Sequence, residues 1–252
     1  MLPDKNHKSK YSKLTRRNFL RFAASSLAGF SFSATGGSVT NAKTQPTLNI
    51  GGIFSLTGPN SPVGRTIRDG AQLALEKING AGGIGGALKL NLVMKDGETS
   101  QTGASSAARR LANRGDISFA LGPLIGTHGL ATQPILASAG IPQVFFGTVP
   151  EFTERHEKYP LSIRFGTKVE LEMAPVLQYA VNQRKDEKLY LLAPNNQQGT
   201  SYRKIVRNQL KNIPNGKLVG TKLYTPFSSD FSSLVTKVLN SEADGVVAGT
   251  GI

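Results

Sequence analysis

From Thr47 onward the hydrophobic period switches back and forth between about two and about 3.6 residues, and few folds are open to a chain patterned this way. Leu48 to Leu56 reads as a buried strand closed by Thr57-Gly58-Pro59. Ile67, Ala71, Ala74, Leu75 and Ile78 then fall on one helical face, and Asn79-Gly80 with the glycines to Gly86 ends it. Leu88 to Lys95 alternates again as a strand. The series continues with a helix over Ala104–Asn113, a strand over Ile117–Leu121, a helix over Gly129–Ser138 and a strand over Pro142–Phe146. Strand, helix and parallel strand in succession are βαβ units, so the pattern predicts a mostly parallel sheet with helices on both faces. After Pro150 a charged connector, Glu151 to Tyr159, breaks the rhythm, and Pro160 opens an extended run to Phe165. Helices are then expected over Leu171–Gln183, Tyr202–Lys211 and Phe231–Leu239, with strands over Lys188–Leu192, Leu218–Tyr224 and Gly245–Ala248. The fold class read from this is α/β with two doubly wound parallel-sheet lobes, residues 43–163 and residues 164–252. The second lobe stops at its third strand, and the expectation is that it is incomplete.

Residues 1–42 carry a different message. They hold seven Lys/Arg and one acid, leaving 23 Lys/Arg against 15 acids for the rest of the chain. The net charge of +14 thus divides into +6 for residues 1–42 and +8 for the rest, a moderately basic solvated surface, and a nucleic-acid partner is not expected. Arg16-Arg17 followed by Phe19-Leu20 resembles the twin-arginine export motif. The apolar run Phe22 to Ala34 that follows is too short to span a bilayer, which needs ~20 residues, but suits a signal peptide. Cleavage after Ala42 or near Ala34 fits the small-residue rule. The mature protein is expected to be soluble, periplasmic and monomeric, with residues 1–42 engaging the twin-arginine export machinery.

Catalytic motifs fail one by one. With no Cys, thiolate zinc sites, cysteine nucleophiles and disulfide scaffolds are excluded. Gly82 to Gly86 follow a helix and precede a strand, the reverse of a dinucleotide fingerprint. His7, His128 and His156 have no metal-ligand spacing, and Gly126-Thr127-His128-Gly129 lacks the serine of a nucleophile elbow. Asp96 and Glu98 sit past a strand end, where they read as loop and helix capping. The Arg109-Arg110-Arg114 and Arg203-Lys204-Arg207-Lys211 clusters read as solvated helix faces. No enzyme, metal or cofactor is expected. Ligands of open parallel sheets lie beyond the carboxyl ends of the strands, here Ser55–Pro62, Gly122–Gly129 and Phe146–Pro150. The segment Leu124 to His128 opens a helix there, either as a carboxylate-binding helix N-terminus or as plain capping.

Several stretches, Gly52 to Pro59, Gly70 to Asn79, Gly82-Gly83-Ile84, Leu121-Gly122-Pro123, Gly140-Ile141-Pro142 and Thr148 to Thr153, resemble the leucine/isoleucine/valine-binding protein family. These are substrate-binding subunits of branched-chain amino-acid ABC transporters. The resemblance implies a type I periplasmic-binding fold, a small-molecule ligand such as an amino acid in a cleft between the lobes, and a membrane permease as partner. It places the ligand carboxylate at Gly126 and Thr127, with His128 beside them, and the amino and carboxylate groups at Gly147 and Thr148. The family's first-lobe aromatic falls on Val63 and its second-lobe Tyr-Gly pair on Gln198-Gly199, so a ring covering the ligand is expected to be missing. A ligand-sensing domain of the same fold and a truncated, non-binding fragment are the alternative readings.

Overall fold

The structure, a computed structural model, describes residues 45–249. The expected signal peptide, residues 1–42 with Arg16, Arg17, Phe19 and Leu20, lies outside the described residues. The architecture is α/β, built on two parallel sheets. In chain order the elements of the first are β1 (Thr47–Phe54), α1 (Ser61–Gly80), β2 (Lys89–Asp96), α2 (Gln101–Ala112), β3 (Ile117–Leu121), α3 (Gly126–Ser138), β4 (Gln143–Phe145), the short α4 (Glu151–Glu154) and β5 (Ser162–Arg164). Those of the second are α5 (Val169–Gln178), running into a π-helical turn to Arg184, then β6 (Lys188–Pro194), α6 (Gln197–Leu210), β7 (Lys217–Tyr224), α7 (Ser232–Leu239) and β8 (Gly245–Ala248).

The strand orders are β2-β1-β3-β4-β5 and β7-β6-β8, every pairing parallel. Each order reverses direction beside its first strand, the arrangement that opens a crevice at the carboxyl edge. Four of the expected strands in the first half are present, and a fifth joins them. Ser162, Ile163 and Arg164 pair with Gln143, Val144 and Phe145, so the first sheet extends one residue past the expected lobe boundary at Ile163. From Gln45 on, the two sheets and their helices pack as one compact unit.

Small side chains let α2 approach the first sheet closely. Ala104, Ala107, Ala108 and Leu111 form a fully buried stripe at helical spacing against Ile53, Ile117 and Ala120. On the opposite face, α1 departs from the expected orientation. Leu75 is buried against Ile50 and Leu90, whereas Ala74 is exposed and Ile78 stands 38% exposed. Asn79 supplies the physical reason. Its side-chain amide donates to the Leu90 carbonyl and accepts from the Leu90 amide, both at 2.8 Å, which pins the rotation of the helix and turns Ile78 outward. The glycine-rich turn after α1 holds Gly82, Gly83, Gly85 and Gly86 at positive φ, a backbone stop and not a phosphate cradle.

Around the second sheet, α5 and α6 bury Val169, Met173, Leu177, Ile205 and Val206 against Leu189, Leu191 and Val247. The α6 helix starts immediately after β6. Asn196 caps it by accepting from the Gly199 amide at 3.1 Å. No helix among the described residues is long and apolar enough to cross a membrane.

Candidate binding cavity at the strand ends

The loops that follow the strands of both sheets converge on one cavity of about 170 Å³. The first sheet contributes Thr99 from the turn after β2, and Ile125, Thr127 and His128 from the entry to α3. The second contributes Asn196 after β6 and Pro226 with Phe227 after β7. Such a volume suits a small molecule, below the ~300–1,000 Å³ of sites for drug-sized ligands.

The turn after β3 is held from below. Gln143, 1% exposed, donates from Nε2 to the Gly122 carbonyl at 2.9 Å and to the Thr132 hydroxyl at 2.7 Å. That clamp ties the loop to the body of α3 and fixes where its N-terminus points. Helices α2 and α6 spend N-cap side chains, Ser100 and Asn196, on their first amides. Ile125 precedes α3 and offers no such cap. The first bond of α3 runs from the Gly129 amide to the Ile125 carbonyl at 3.0 Å, so the amides of Gly126, Thr127 and His128 precede the helical ladder. They carry the positive end of the helix dipole to the cavity wall.

His128 is 5% exposed yet lines the cavity. Its Nδ1 is sealed from solvent without a hydrogen-bond partner among the described residues. Burial pushes its pKa down to about 4, so the ring is neutral near pH 7. Thr99 and Phe227 hold φ of 49 and 63, left-handed values that are uncommon for residues other than glycine.

Gly126 is buried at the start of α3 where a Cβ would overlap the side chain of Val149 and lie 4.0 Å from Gln198 Oε1. The Gln198 side chain of the second sheet's α6 therefore lies opposite the first sheet's α3. Its Nε2 approaches the Tyr202 hydroxyl at 3.5 Å, and Thr148 hydrogen-bonds the same phenol. Burial pushes the Tyr202 phenol up, against those two hydrogen bonds, which pull it down. Thr148 and Val149 are steadied from behind by Arg164 Nη1, which donates to their carbonyls at 3.3 and 3.2 Å. Gly147 is packed beneath, against the Phe145 ring and the Leu124 carbonyl.

The structure thus sorts the expected residues into three groups. Thr127 and His128 line the cavity, while Gly126, Gly147, Thr148 and Gln198 form the seam between α3 and α6 beside it. Val63, in the first turn of α1 and 37% exposed, does not line the cavity. Gln198 stands where the resemblance puts the ligand-covering ring, and the one aromatic side chain lining the cavity among the described residues is Phe227, half exposed, from the end of β7. Asn196, Pro226 and Phe227 escape the sequence reading, although the same strand-end rule, applied to β6 and β7, points to them.

Asp96 has a structural role. Its carboxylate accepts from the Thr57 hydroxyl at 2.7 Å and from the amides of Glu98 at 2.8 Å and Leu56 at 2.9 Å. Burial raises its pKa, but these bonds outweigh burial and hold it below the usual aspartate value. It staples the loop after β1 to β2. A second cavity of about 160 Å³ runs along α4 and α6, lined in part by Glu151, Glu154 and Lys204. There Glu151 Oε1 accepts from Gln197 and Ser201, both at 2.8 Å, and so joins the two helices. Among the described residues, no group of three or more His, Asp or Glu side chains could hold a metal ion.

Two parallel sheets whose strand-end loops close on a shared cavity make a type I periplasmic-binding architecture. The chain belongs to the periplasmic binding protein family, in the branch that includes the Leu/Ile/Val-binding proteins, and the family model matches residues 47–252. The Leu/Ile/Val-binding protein BraC3 of Rhizobium johnstonii is 30% identical over 207 residues, a match covering 80% of this chain and 54% of that protein. The branched-chain amino acid transporter substrate binding protein LivJ of Streptococcus pneumoniae, solved with isoleucine, superposes with a TM-score of 0.69 at 23% identity. That match covers 80% of this chain and 56% of LivJ. A solute binding protein of an ABC transporter from R. palustris, solved with 4-hydroxybenzoate, gives a TM-score of 0.71 at 18% identity, covering 81% of this chain and 54% of that one. The chain spans about half the length of these relatives.

Proposed function

We propose that this chain acts in an extracytoplasmic substrate-binding subunit of an ABC importer and carries no catalytic chemistry of its own. In this reading residues 1–42 direct export and are removed. Residues 43–163 and residues 164–252 serve as the two lobes, the mature protein works as a monomer, and a membrane permease recognises the ligand-bound form. The ligand is an amino acid or a related small carboxylate or amide, seated where Thr127 and His128 face Asn196 and Phe227. Gly126, Gly147, Thr148 and Gln198 shape the wall beside it, and Val63 stands apart from it on α1.

One observation carries this proposal: the uncapped N-terminus of α3 opens into a cavity to which both sheets contribute strand-end loops. A lone sheet would offer the helix end to open water. Two sheets enclose it, which raises the worth of every hydrogen bond made there. The chain has no Trp, so calorimetry is the suitable readout. Scanning calorimetry with isoleucine, leucine, glutamine and 4-hydroxybenzoate should find at least one compound that raises the melting temperature by several degrees. At 100 times its dissociation constant such a ligand adds ~2.7 kcal/mol. A cooperative transition indifferent to every small carboxylate and amide tried would overturn the reading.

A further inference from the structure

One carboxylate ties the helices of the two sheets together from outside the strand-end cavity. Glu151 opens α4, beyond the end of β4 in the first sheet. Its Oε1 accepts from the Gln197 side-chain amide and from the Ser201 hydroxyl, both at 2.8 Å. Gln197 and Ser201 stand at i and i+4 on α6, so both donors leave one helical face and converge on one oxygen. Glu151 does not line the cavity of Thr127 and His128. Asn196 does, and it immediately precedes Gln197 and caps the same helix. The grip on Gln197 and Ser201 therefore fixes where the first turn of α6, and Asn196 with it, stands against the first sheet.

This tie is built to release. Ser201 Oγ carries one proton and has two acceptors in reach, the carboxylate at 2.8 Å and the Gln197 carbonyl at 3.1 Å. Without Glu151 the hydroxyl turns to that carbonyl one helical turn back, a bond that serines make within helices. Gln197 is exposed, so water replaces the carboxylate at its amide.

The carboxylate itself is held on one side only. Its Oε2 is sealed from solvent and has no hydrogen-bond partner among the described residues. Glu151 shares the cavity of about 160 Å³ with Glu154 and Glu170, and Lys204 is the one cation among the lining residues. A carboxylate with one oxygen sealed and unpaired beside like charges gains by returning to water. Asp96 shows the contrast of a permanent staple. Both of its oxygens are engaged, Oδ1 by the amides of Leu56 and Glu98 and Oδ2 by the Thr57 hydroxyl, all within the first lobe.

We propose that Glu151 is a releasable latch between the two lobes, positioning the second lobe's wall of the strand-end cavity and letting go when the lobes part. The inference rests on the binding-protein reading above, in which two lobes open and close about a ligand, and it names a residue outside the cavity that sets how readily they do.

The chain has no Cys, so spin labels on introduced pairs report distances without background. Glu76 on α1, Arg109 on α2 and Ser233 on α7 are exposed. Helices α1 and α2 cover opposite faces of the first sheet. A turn of the second lobe therefore changes the distance from Ser233→Cys to at least one of Glu76→Cys and Arg109→Cys. Double electron–electron resonance on the ligand-free full chain measures both distances. Glu151→Ala should raise the population outside the main distance peak about fivefold, the weight of one net hydrogen bond. Gln197→Ala, at an exposed position, should move the same population in the same direction by less. Glu151→Gln keeps an acceptor for Gln197 and Ser201 and removes the charge, so it should hold the wild-type distribution or sharpen it. Wild-type distributions in both Glu151→Ala and Gln197→Ala would overturn the inference. Opening by Glu151→Gln as large as that by Glu151→Ala would overturn it too, because the acceptor would then be present without effect. No ligand enters the measurement, so failure of every small carboxylate and amide to bind would strike the binding-protein reading and leave this result to be judged separately.

Discussion

Gly199→Ala should destabilise the protein by about 3 kcal/mol, the upper end of what overpacking a tight contact costs. The turn from β6 into α6 brings the first helical turn down onto the end of the strand. A Cβ at residue 199 would overlap the Pro194 carbonyl oxygen and lie 2.8 Å from its carbonyl carbon. These are backbone atoms, held by the β6 pairing of Pro194 with Tyr224 and by the Asn196 amide bond to the Pro194 carbonyl at 2.9 Å, so they cannot rotate away as a side chain would. Relief requires α6 to shift, and α6 carries Tyr202, Ile205 and Val206 into the core. Gly70→Ala is the matched control. It lies inside α1 with nothing within 4 Å of a new Cβ, and should stabilise by about 0.5–1 kcal/mol. Urea unfolding of the two variants separates the effects by sign. A Gly199→Ala midpoint equal to wild type would show that the α6 turn is far looser than its packing implies.

The second large effect is a pH dependence centred on His128. Its folded pKa is lowered to about 4 from an unfolded 6.5, because burial penalises the charged ring. Between these values the unfolded chain binds a proton that the folded chain refuses. Stability therefore rises with pH across the window, is fully present above 6.5 and is lost as pH falls to about 4. The difference of roughly 2.5 pH units corresponds to about 3 kcal/mol. Carboxylates titrate in the lower part of the same range, so the comparison is between wild type and His128→Gln, which differ only at this ring. Unfolding free energies at pH 4.5 and pH 7 should fall by about 2–3 kcal/mol more in wild type than in the variant. Equal slopes would mean that the ring accepts a proton in the folded state, and with it that the imidazole is open to water.

The same imidazole marks the limit of what could be read from the chain alone. The neighbourhood Leu124 to His128 is recognisable as a helix entry beyond a strand, because a hydrophobic run ending in Gly122-Pro123 leaves little else to follow. That His128 would be buried, unpartnered and turned to a cavity depends on Asn196, Pro226 and Phe227, which come from the other sheet. The strand ending at Tyr224 was legible, but nothing in the order of residues brings position 227 to position 128. Strand β5 was legible only as an extended run from Pro160 to Phe165, not as a member of the first sheet, for a related reason. It is three residues long with Ile163 57% exposed, so it lacks the burial pattern that reveals β1 or β6, and only its pairing with β4 defines it.

Alternation of period was enough to determine the α/β class, the parallel pairing and the order of the elements, because strands facing two helix layers and helices facing one sheet impose different apolar spacings. It was also enough to locate the strand-end edge of the first sheet on which the cavity opens, since that edge follows from topology. The rotation of α1, set by the side chain of Asn79 on Leu90, was decided only in three dimensions, as was the seam that joins Gly126, Thr148 and Gln198. Spacing along a chain reports which face of its own element a residue occupies, whereas a binding site is made by residues of different elements whose hydrogen bonds depend on who else is near.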